Sequence, residues 1–435
     1  MSDFICENIS VNAAGHLCFG GQDTADLAAR YGTPLYLMDE DRLRHNMRVY
    51  TEAFQRCFVP GSRALYAAKA NAFRQIFRIA QEEGMGVDVV SAGEIHTAKQ
   101  AGFDMRYAYF HSNNKTDEDI RFAMDCGVGC FVVDGEEELR AISAEAEQRG
   151  GKQKILLRLT PGIDPHTYAA VDTGRVDSKF GSAIETGQGE AITALALSLP
   201  GVDLAGFHCH VGSQVFDEDV FERAGVVMLE FIARIAGKYG YLAQELDLGG
   251  GYGVPYVFSD GTVDIGARIA EVAAVIRKTC ERLGIAEPAI LMEPGRSIVA
   301  DAGMTLYTVG AVKRIPGYKN YVSVDGGMSD NPRYALYGSK YTCYAAEKMN
   351  EPAALRCDLV GRCCESGDII QPDIGMPESI RRGDLAAVCT TGAYNYAMAS
   401  NYNRIPRPPI VMLRGGESCV AVRRETWDDL IALDK

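Results

Sequence analysis

The sequence predicts an α/β + β architecture in outline, a (β/α)8 TIM barrel joined to an all-β domain, and two observations carry that expectation. From about residue 64 onward, short apolar runs alternate with amphipathic stretches of helical period, eight times over. After about residue 300 the helical stretches stop, and short β-type runs follow one another between Gly and Pro turns. Strand–helix alternation implies parallel βαβ units, and eight of them make a closed barrel, usually of ~250 residues. The expected division is residues 36–299 for the barrel and 1–35 plus 300–435 for a sandwich or small β-barrel.

The barrel strands are expected, in order, in "ALYAAKAN" (64–71), "GVDVVSAGE" (86–94), "YAYFHS" (107–112) and "CFVVD" (130–134). "KILLRLTPG" (154–162), "LAGFHCHVGS" (204–213), "ELDLGGGYG" (245–253) and "AILMEPGRS" (289–297) complete the set. Stretches such as "RQIFRIAQEEG", "EELRAISAEAEQRG" and "GARIAEVAAVIRKTCERLG" read as helices that close near a glycine. The β-domain runs are "TLYTVGAVKRI", "NYVSVDGG", "ALRCDLVGR", "DLAAVCTTGAY", "PIVMLRGG" and "SCVAVRRE". Residues 1–35 hold no barrel unit and are free to add a strand to that domain.

Bulk properties exclude several classes. A net charge of −14 argues against nucleic acid or anionic membrane as partner. "MSDFICENISVNAAG" lacks the basic and apolar regions of a signal peptide, and no run approaches the ~20 apolar residues of a membrane span. Thirteen cysteines are scattered without zinc-site spacing, which suits reduced thiols in a cytoplasmic protein.

Barrel active sites lie at the C-terminal ends of the strands. There the sequence places Lys69 and Asn71, then Asp88, Ser91 and Glu94, then His111, Arg158, His208, His210 and Ser213. "LGGGYG" after strand seven brings Gly249, Gly250 and Gly251, whose backbone N–H groups an anion can approach closely. "EPGR" after strand eight adds Glu293, Gly295 and Arg296. A tight turn would also need glycine, so the run gains its weight from Arg296 beside it. Val254 stands where a dinucleotide fingerprint needs its last glycine, and no Walker lysine follows, so the ligand is a phosphate-bearing group other than a dinucleotide or ATP.

Lys69 is the odd residue of its strand. By the period of two it shares a face with Leu65 and Ala67, and a desolvated lysine is an amine nucleophile suited to Schiff bases. The alternative is a packing ion pair with an acid such as Asp88. Beside a phosphate site, the nucleophile is favoured, and pyridoxal 5'-phosphate (PLP) is the cofactor that needs both. Its pyridine nitrogen requires an acid, for which Glu293 stands on strand eight; His210 can cover the ring, and Ser213 can reach the phosphate.

Ten motifs, "YAAKAN", "DVVSAGE", "HSNNK", "SKFG", "FHCHVGSQ", "LDLGGGYG", "EPGRS", "DNPRYALYG", "CESGD" and "TGAYNYAM", run in order over nearly the whole chain. Together they resemble the fold-type III PLP-dependent decarboxylases, and within them the members acting on meso-diaminopimelate. The resemblance implies a PLP-binding barrel followed by a β-domain that takes in the N-terminal segment, and release of CO2 and L-lysine from that substrate. It implies that Lys69 carries the cofactor and that Asp88, His210, Ser213, Gly249 to Gly251, Glu293, Gly295, Arg296 and Tyr394 contact it. Arg296, Arg333 and Tyr337 would contact substrate carboxylate, Glu365 the distal amine, and Tyr394 the substrate as well. Cys364 would be the general acid, supplied by the neighbouring subunit of a homodimer. A second amino-acid head needs cationic and anionic contacts, which two arginines and Glu365 provide.

Rival readings are a decarboxylase of ornithine, lysine or arginine, whose "CES" would usually read Cys-Asp, an alanine-racemase-like protein, and a PLP-binding regulator, which should lack Lys69 or Cys364. Adjacent strand residues face opposite ways, so Cys363 is expected buried and inert beside Cys364. "HSNNKTDED" and "DTGRVDSKFG" are polar enough to be loops over the substrate.

Overall fold

The computed structural model describes residues 4–163, 179–217 and 219–435. They form two compact units, one of Met1–Asn46, Val254–Gly261 and Ile298–Lys435, the other of Met47–Gly253 and Thr262–Ser297.

In the second unit eight parallel strands follow one another: β1 (Arg63–Ala67), β2 (Gly86–Val89), β3 (Ala108–Phe110), β4 (Cys130–Val133), β5 (Gln153–Thr160), β6 (Val202–His208), β7 (Glu245–Asp247) and β8 (Ala289–Met292). Each pairs with the next, and β8 returns to β1, so the sheet closes into a barrel. Leu65, Tyr109, Cys130, Val132, Leu156, Ala205 and Leu291 pack together inside it, a filled interior that leaves the polar strand ends as the open face. The flanking helices bury one stripe each: Ile76, Phe77, Ile79 and Ala80 on Arg74–Glu82, and Ile269, Val272, Ala273 and Ile276 on Ile265–Leu283. The latter stops at Gly284, which takes the left-handed φ of 65° that ends a helix cheaply.

The other unit is sheet-rich with short helices. Its spine is the 13-residue strand Gly303–Ile315. Met304 to Thr308 pair with Leu385–Cys389, while Gly303 to Leu306 pair with Leu35–Asp39 on the other side. After a register shift between Val309 and Ala311 the same strand pairs with Lys319–Val324. A bulge at Gly310 lets the strand change partners along its length. Leu35, Leu37, Met304, Leu306, Ala387, Val411 and Leu413 form its core.

Three expectations need correction here. Leu35–Asp39 is an inner strand of the β-unit, held between Gly303–Ile315 and Ile410–Arg414, so the division does not fall at residue 36. The N-terminal segment also makes a small sheet of its own, Ile9–Val11, Leu17–Phe19 and Gln22–Asp23. Two strands, Cys343–Ala345 and Ile369–Met376, were not foreseen. The second contains Pro372 and ends its sheet, the position where a missing N–H is tolerated.

Candidate active site

The ladder between β1 and β2 ends at Ala67 opposite Asp88. The chain then makes one 3-10 turn, Ala68–Ala70, closed by the Tyr66 hydroxyl donating to the Asn71 carbonyl at 2.7 Å. Lys69 rides on that turn, not on the strand, so the period-two argument for its direction does not apply. Its side chain is 40% exposed rather than sunk in the wall, with Nζ 3.5 Å from Oδ2 of the fully buried Asp88. Gly295 packs closely on this turn: a Cβ there would lie 3.0 Å from Ala67 Cβ and 3.1 Å from Ala70 Cβ.

Behind Asp88 runs a chain of buried groups. His111 Nε2 lies 3.8 Å from Asp88 Oδ1 and 2.6 Å from Glu293 Oε1, and His208 Nε2 lies 3.4 Å from Glu293 Oε2. Burial alone would raise the Glu293 pKa, but His111 and His208 outweigh it and hold the carboxyl well below its usual range. Burial pushes His208 down to about 3, so it faces Glu293 as a neutral imidazole. Burial also raises Asp88, against the pull of His111 and Lys69. Asp247, at the end of β7, accepts the Gly249 N–H at 2.8 Å. Donor atoms of His111, His208, Asp247 and Glu293 all lie within 4.8 Å of one another.

The glycine run forms a cradle. Gly249 and Gly251 have φ of 69° and 138°, and a Cβ on Gly250 would sit 1.9 Å from the Glu293 carbonyl oxygen. The Gly250 N–H donates to His210 Nδ1 at 3.3 Å. Burial, then the charges of Lys69 and Arg158, drive His210 well below its usual pKa, so the ring is neutral with its proton on Nε2. Arg296 donates from Nε and Nη2 to Ser213 Oγ at 3.3 and 3.2 Å.

The β-unit gathers a second group. Arg333 opens the short helix Arg333–Tyr337 and is buried, its guanidinium 5.2 Å from the Tyr337 ring centre and 5.3 Å from that of Tyr394. Tyr394 holds φ at 60°, an uncommon setting for a bulky residue that typically costs ~1–3 kcal/mol. Cys363 and Cys364 lie in a bend, so strand alternation is not what separates them. The Cys363 N–H donates to Asp368 Oδ2 at 2.6 Å and its side chain is buried; the Cys364 N–H donates to Asn403 Oδ1 at 2.8 Å and its side chain is exposed. Glu365 is exposed and accepts the Gly367 N–H at 3.2 Å.

A family model for the pyridoxal binding domain of pyridoxal-dependent decarboxylases matches residues 41–300. The chain belongs to that family. The diaminopimelate decarboxylase of Bacillus subtilis is 41% identical over 423 residues, 97% of this chain and 96% of that protein. That of Halalkalibacterium halodurans is 42% identical over 424 residues, 98% and 96% of the two chains. The crystal structure of diaminopimelate decarboxylase from M. jannaschii matches with a TM-score of 0.91 at 32% identity, covering 99% of this chain and 98% of that one. The family is one of PLP-dependent carboxy-lyases, and this chain's donor set fits the cofactor: a glycine run, the hydrogen-bonded Arg296–Ser213 pair, and a buried carboxylate kept ionised.

The expected residues thus fall into two groups. Lys69, Asp88, His210, Ser213, Gly249 to Gly251, Glu293, Gly295 and Arg296 belong to the barrel unit; Arg333, Tyr337, Cys364, Glu365 and Tyr394 belong to the β-unit. Most of "DTGRVDSKFG", with the serine of "SKFG", lies outside the described residues. The sequence noted His111, His208 and Glu94 at strand ends but gave them no role. Ser91 accepts the Glu94 N–H at 3.2 Å, and Glu94 in turn accepts the Val90 N–H at 2.8 Å. Burial, with Asp88 adding to it, pushes Glu94 up to about 7. The spacing Ser-x-x-Glu before a helix was its legible signal.

Proposed function

We propose that this protein removes the carboxylate at the D-configured centre of meso-2,6-diaminopimelate, releasing CO2 and L-lysine, with PLP held by the barrel unit. The observation that carries the reaction type is Glu293, a buried carboxylate kept ionised by two imidazoles beside a glycine cradle. PLP, when bound, supplies an electron sink for the pair left behind by CO2. Lys69 would hold the cofactor through Nζ, with Asp88 as its neighbouring acid. Glu293 would accept the pyridine N–H and keep that proton in place. Gly249 to Gly251, Gly295, Ser213 and Arg296 would hold the phosphate, and neutral His210 would lie against the ring without adding charge.

On the substrate side, Arg333 with Tyr337 and Tyr394 receives a carboxylate through its planar fork, Arg296 assists, and Glu365 takes the distal amine. Cys364 Sγ gives a proton to the carbon that lost CO2. The exposure of Cys364 and Glu365 supports delivery to a neighbouring copy, hence a homodimer with shared sites. Thirteen free thiols support a cytoplasmic location.

A substrate panel tests the proposal. Purified protein with PLP is given meso-diaminopimelate, L-ornithine, L-lysine and L-arginine, and CO2 and amine products are measured. The expected result is L-lysine from meso-diaminopimelate, with the others much slower. Release from ornithine or lysine but not from diaminopimelate overturns the substrate.

A further inference from the structure

Asp247 closes β7 directly before the glycine cradle and is fully buried. Its Oδ1 accepts the Gly249 N–H at 2.8 Å, while its Oδ2 has no donor among the described residues. The group it faces is another acid, Glu293, and both belong to the cluster whose donor atoms lie within 4.8 Å. A buried carboxylate with one oxygen lacking a donor, in a group that faces a second carboxylate, is a costly arrangement in its ionised form. One proton removes both problems: it relieves the repulsion and turns the orphaned acceptor into a donor.

We propose that Asp247 is a positioning residue that keeps a proton on Oδ2 in the working enzyme and donates it as a hydrogen bond to Glu293, while Oδ1 anchors the cradle through Gly249. The proposal rests on Glu293 serving the pyridine nitrogen, and it gives that acid a fixed orientation from the same side chain that holds the phosphate loop. Glu293 also hydrogen-bonds Gly249 through its own backbone, N–H to carbonyl at 2.9 Å, so the three residues form one unit.

The surroundings drive the two acids apart. Burial, then the negative charge of Glu293 and more weakly that of Asp88, push Asp247 well above the usual carboxylate range. Glu293 is held well below it, because His111 and His208 face it from β3 and β6. Cys209, Cys130 and Tyr109 also feel Asp247, and burial keeps each of them neutral. Paired acids with opposed shifts have separable roles, one a donor and one a base.

Infrared spectra of the holoenzyme at pH 8, in H2O and D2O, test the proton directly. The wild type is expected to show the deuterium-sensitive carbonyl stretch of a protonated carboxyl, and Asp247→Asn to lose it. An unchanged band in Asp247→Asn overturns the proposal. PLP affinity provides the second arm. Asp247→Leu is expected to weaken it about tenfold, from one lost hydrogen bond to a charged group, and Asp247→Asn, which can still donate to Glu293, to recover most of that loss. Asn as damaging as Leu would mean that Asp247 acts as a charge, and would also overturn it. Glu293→Gln separates the two readings. If it leaves PLP affinity and visible absorbance unchanged, the pyridine-nitrogen role fails, while the infrared result still decides where the Asp247 proton is.

Discussion

Glu293, His208 and Asp247 are at most 4% exposed, and each is fixed by neighbours that set its charge. Cys364 and Glu365, in the β-unit, are exposed and, among the described residues, are held through backbone and turn hydrogen bonds. The difference matches two kinds of work. Holding a cofactor's charge pattern needs preorganised dipoles in a dry setting, where each interaction is strong. Meeting a substrate that enters and leaves needs groups that ligand can reach. The barrel residues are ready before anything binds, whereas the proposed acid and amine-binding residues await a covering surface.

The largest expected effect separates those two kinds of work. Cys364→Ala removes the proposed proton donor without touching the cradle, so turnover should fall by about 10²–10⁴, with PLP still bound and its visible absorbance kept. Loss of PLP together with activity would break the comparison, because Cys364 would then be part of the cofactor site. A smaller effect tests whether the β-unit contributes geometry or merely charge. Arg333→Lys keeps the positive charge but loses the flat fork between Tyr337 and Tyr394. We expect kcat/KM for meso-diaminopimelate to fall about 10–100-fold, the size of one charge-assisted contact, with PLP affinity unchanged. Wild-type kinetics in Arg333→Lys would exclude the bidentate role.

Much of the barrel was legible because each strand is a short apolar run bounded by Gly or a helical stretch, as in "CFVVD" and "AILMEPG". What escaped was where strands stop. Lys69 looked like a strand residue, yet the ladder ends two residues earlier, since Tyr66 ties its hydroxyl to the Asn71 carbonyl and bends the chain. Ile369–Met376 escaped because Pro372 breaks the pattern that marks a strand. In the site, the cradle was readable from "LGGGYG", since glycine is required wherever a Cβ would strike backbone. Asp247 was not, because in "ELDLGG" it reads as an ordinary acid at a strand end. Its significance comes from the acid it faces, and that pairing spans 46 residues between β7 and β8 that no local pattern records. His111 and His208 show the same limit: a histidine at a strand end is common, and only their shared approach to Glu293 gives them meaning.

The smallest effect concerns Glu94, a barrel acid with no histidine among the groups that shift it. Its carboxyl is raised from the ordinary 4.5 to about 7, chiefly by burial, then by Asp88, with the Val90 N–H and Lys69 opposing. Between those values the unfolded chain has released the proton and the native state still holds it. The native state therefore binds more protons, so the contribution of Glu94 to stability falls as pH rises from about 4.5 to about 7 and stays constant above. Glu94→Gln cannot titrate, yet its side-chain oxygen can still accept the Val90 N–H. The Tm difference, variant minus wild type, should therefore be more positive at pH 8 than at pH 5, by about 1–3 °C. A difference independent of pH would show that Glu94 ionises as freely in the fold as in water. The barrel would then tolerate such an acid beside Asp88, and the contrast between its buried charges and the exposed groups of the β-unit would lose one of its supports.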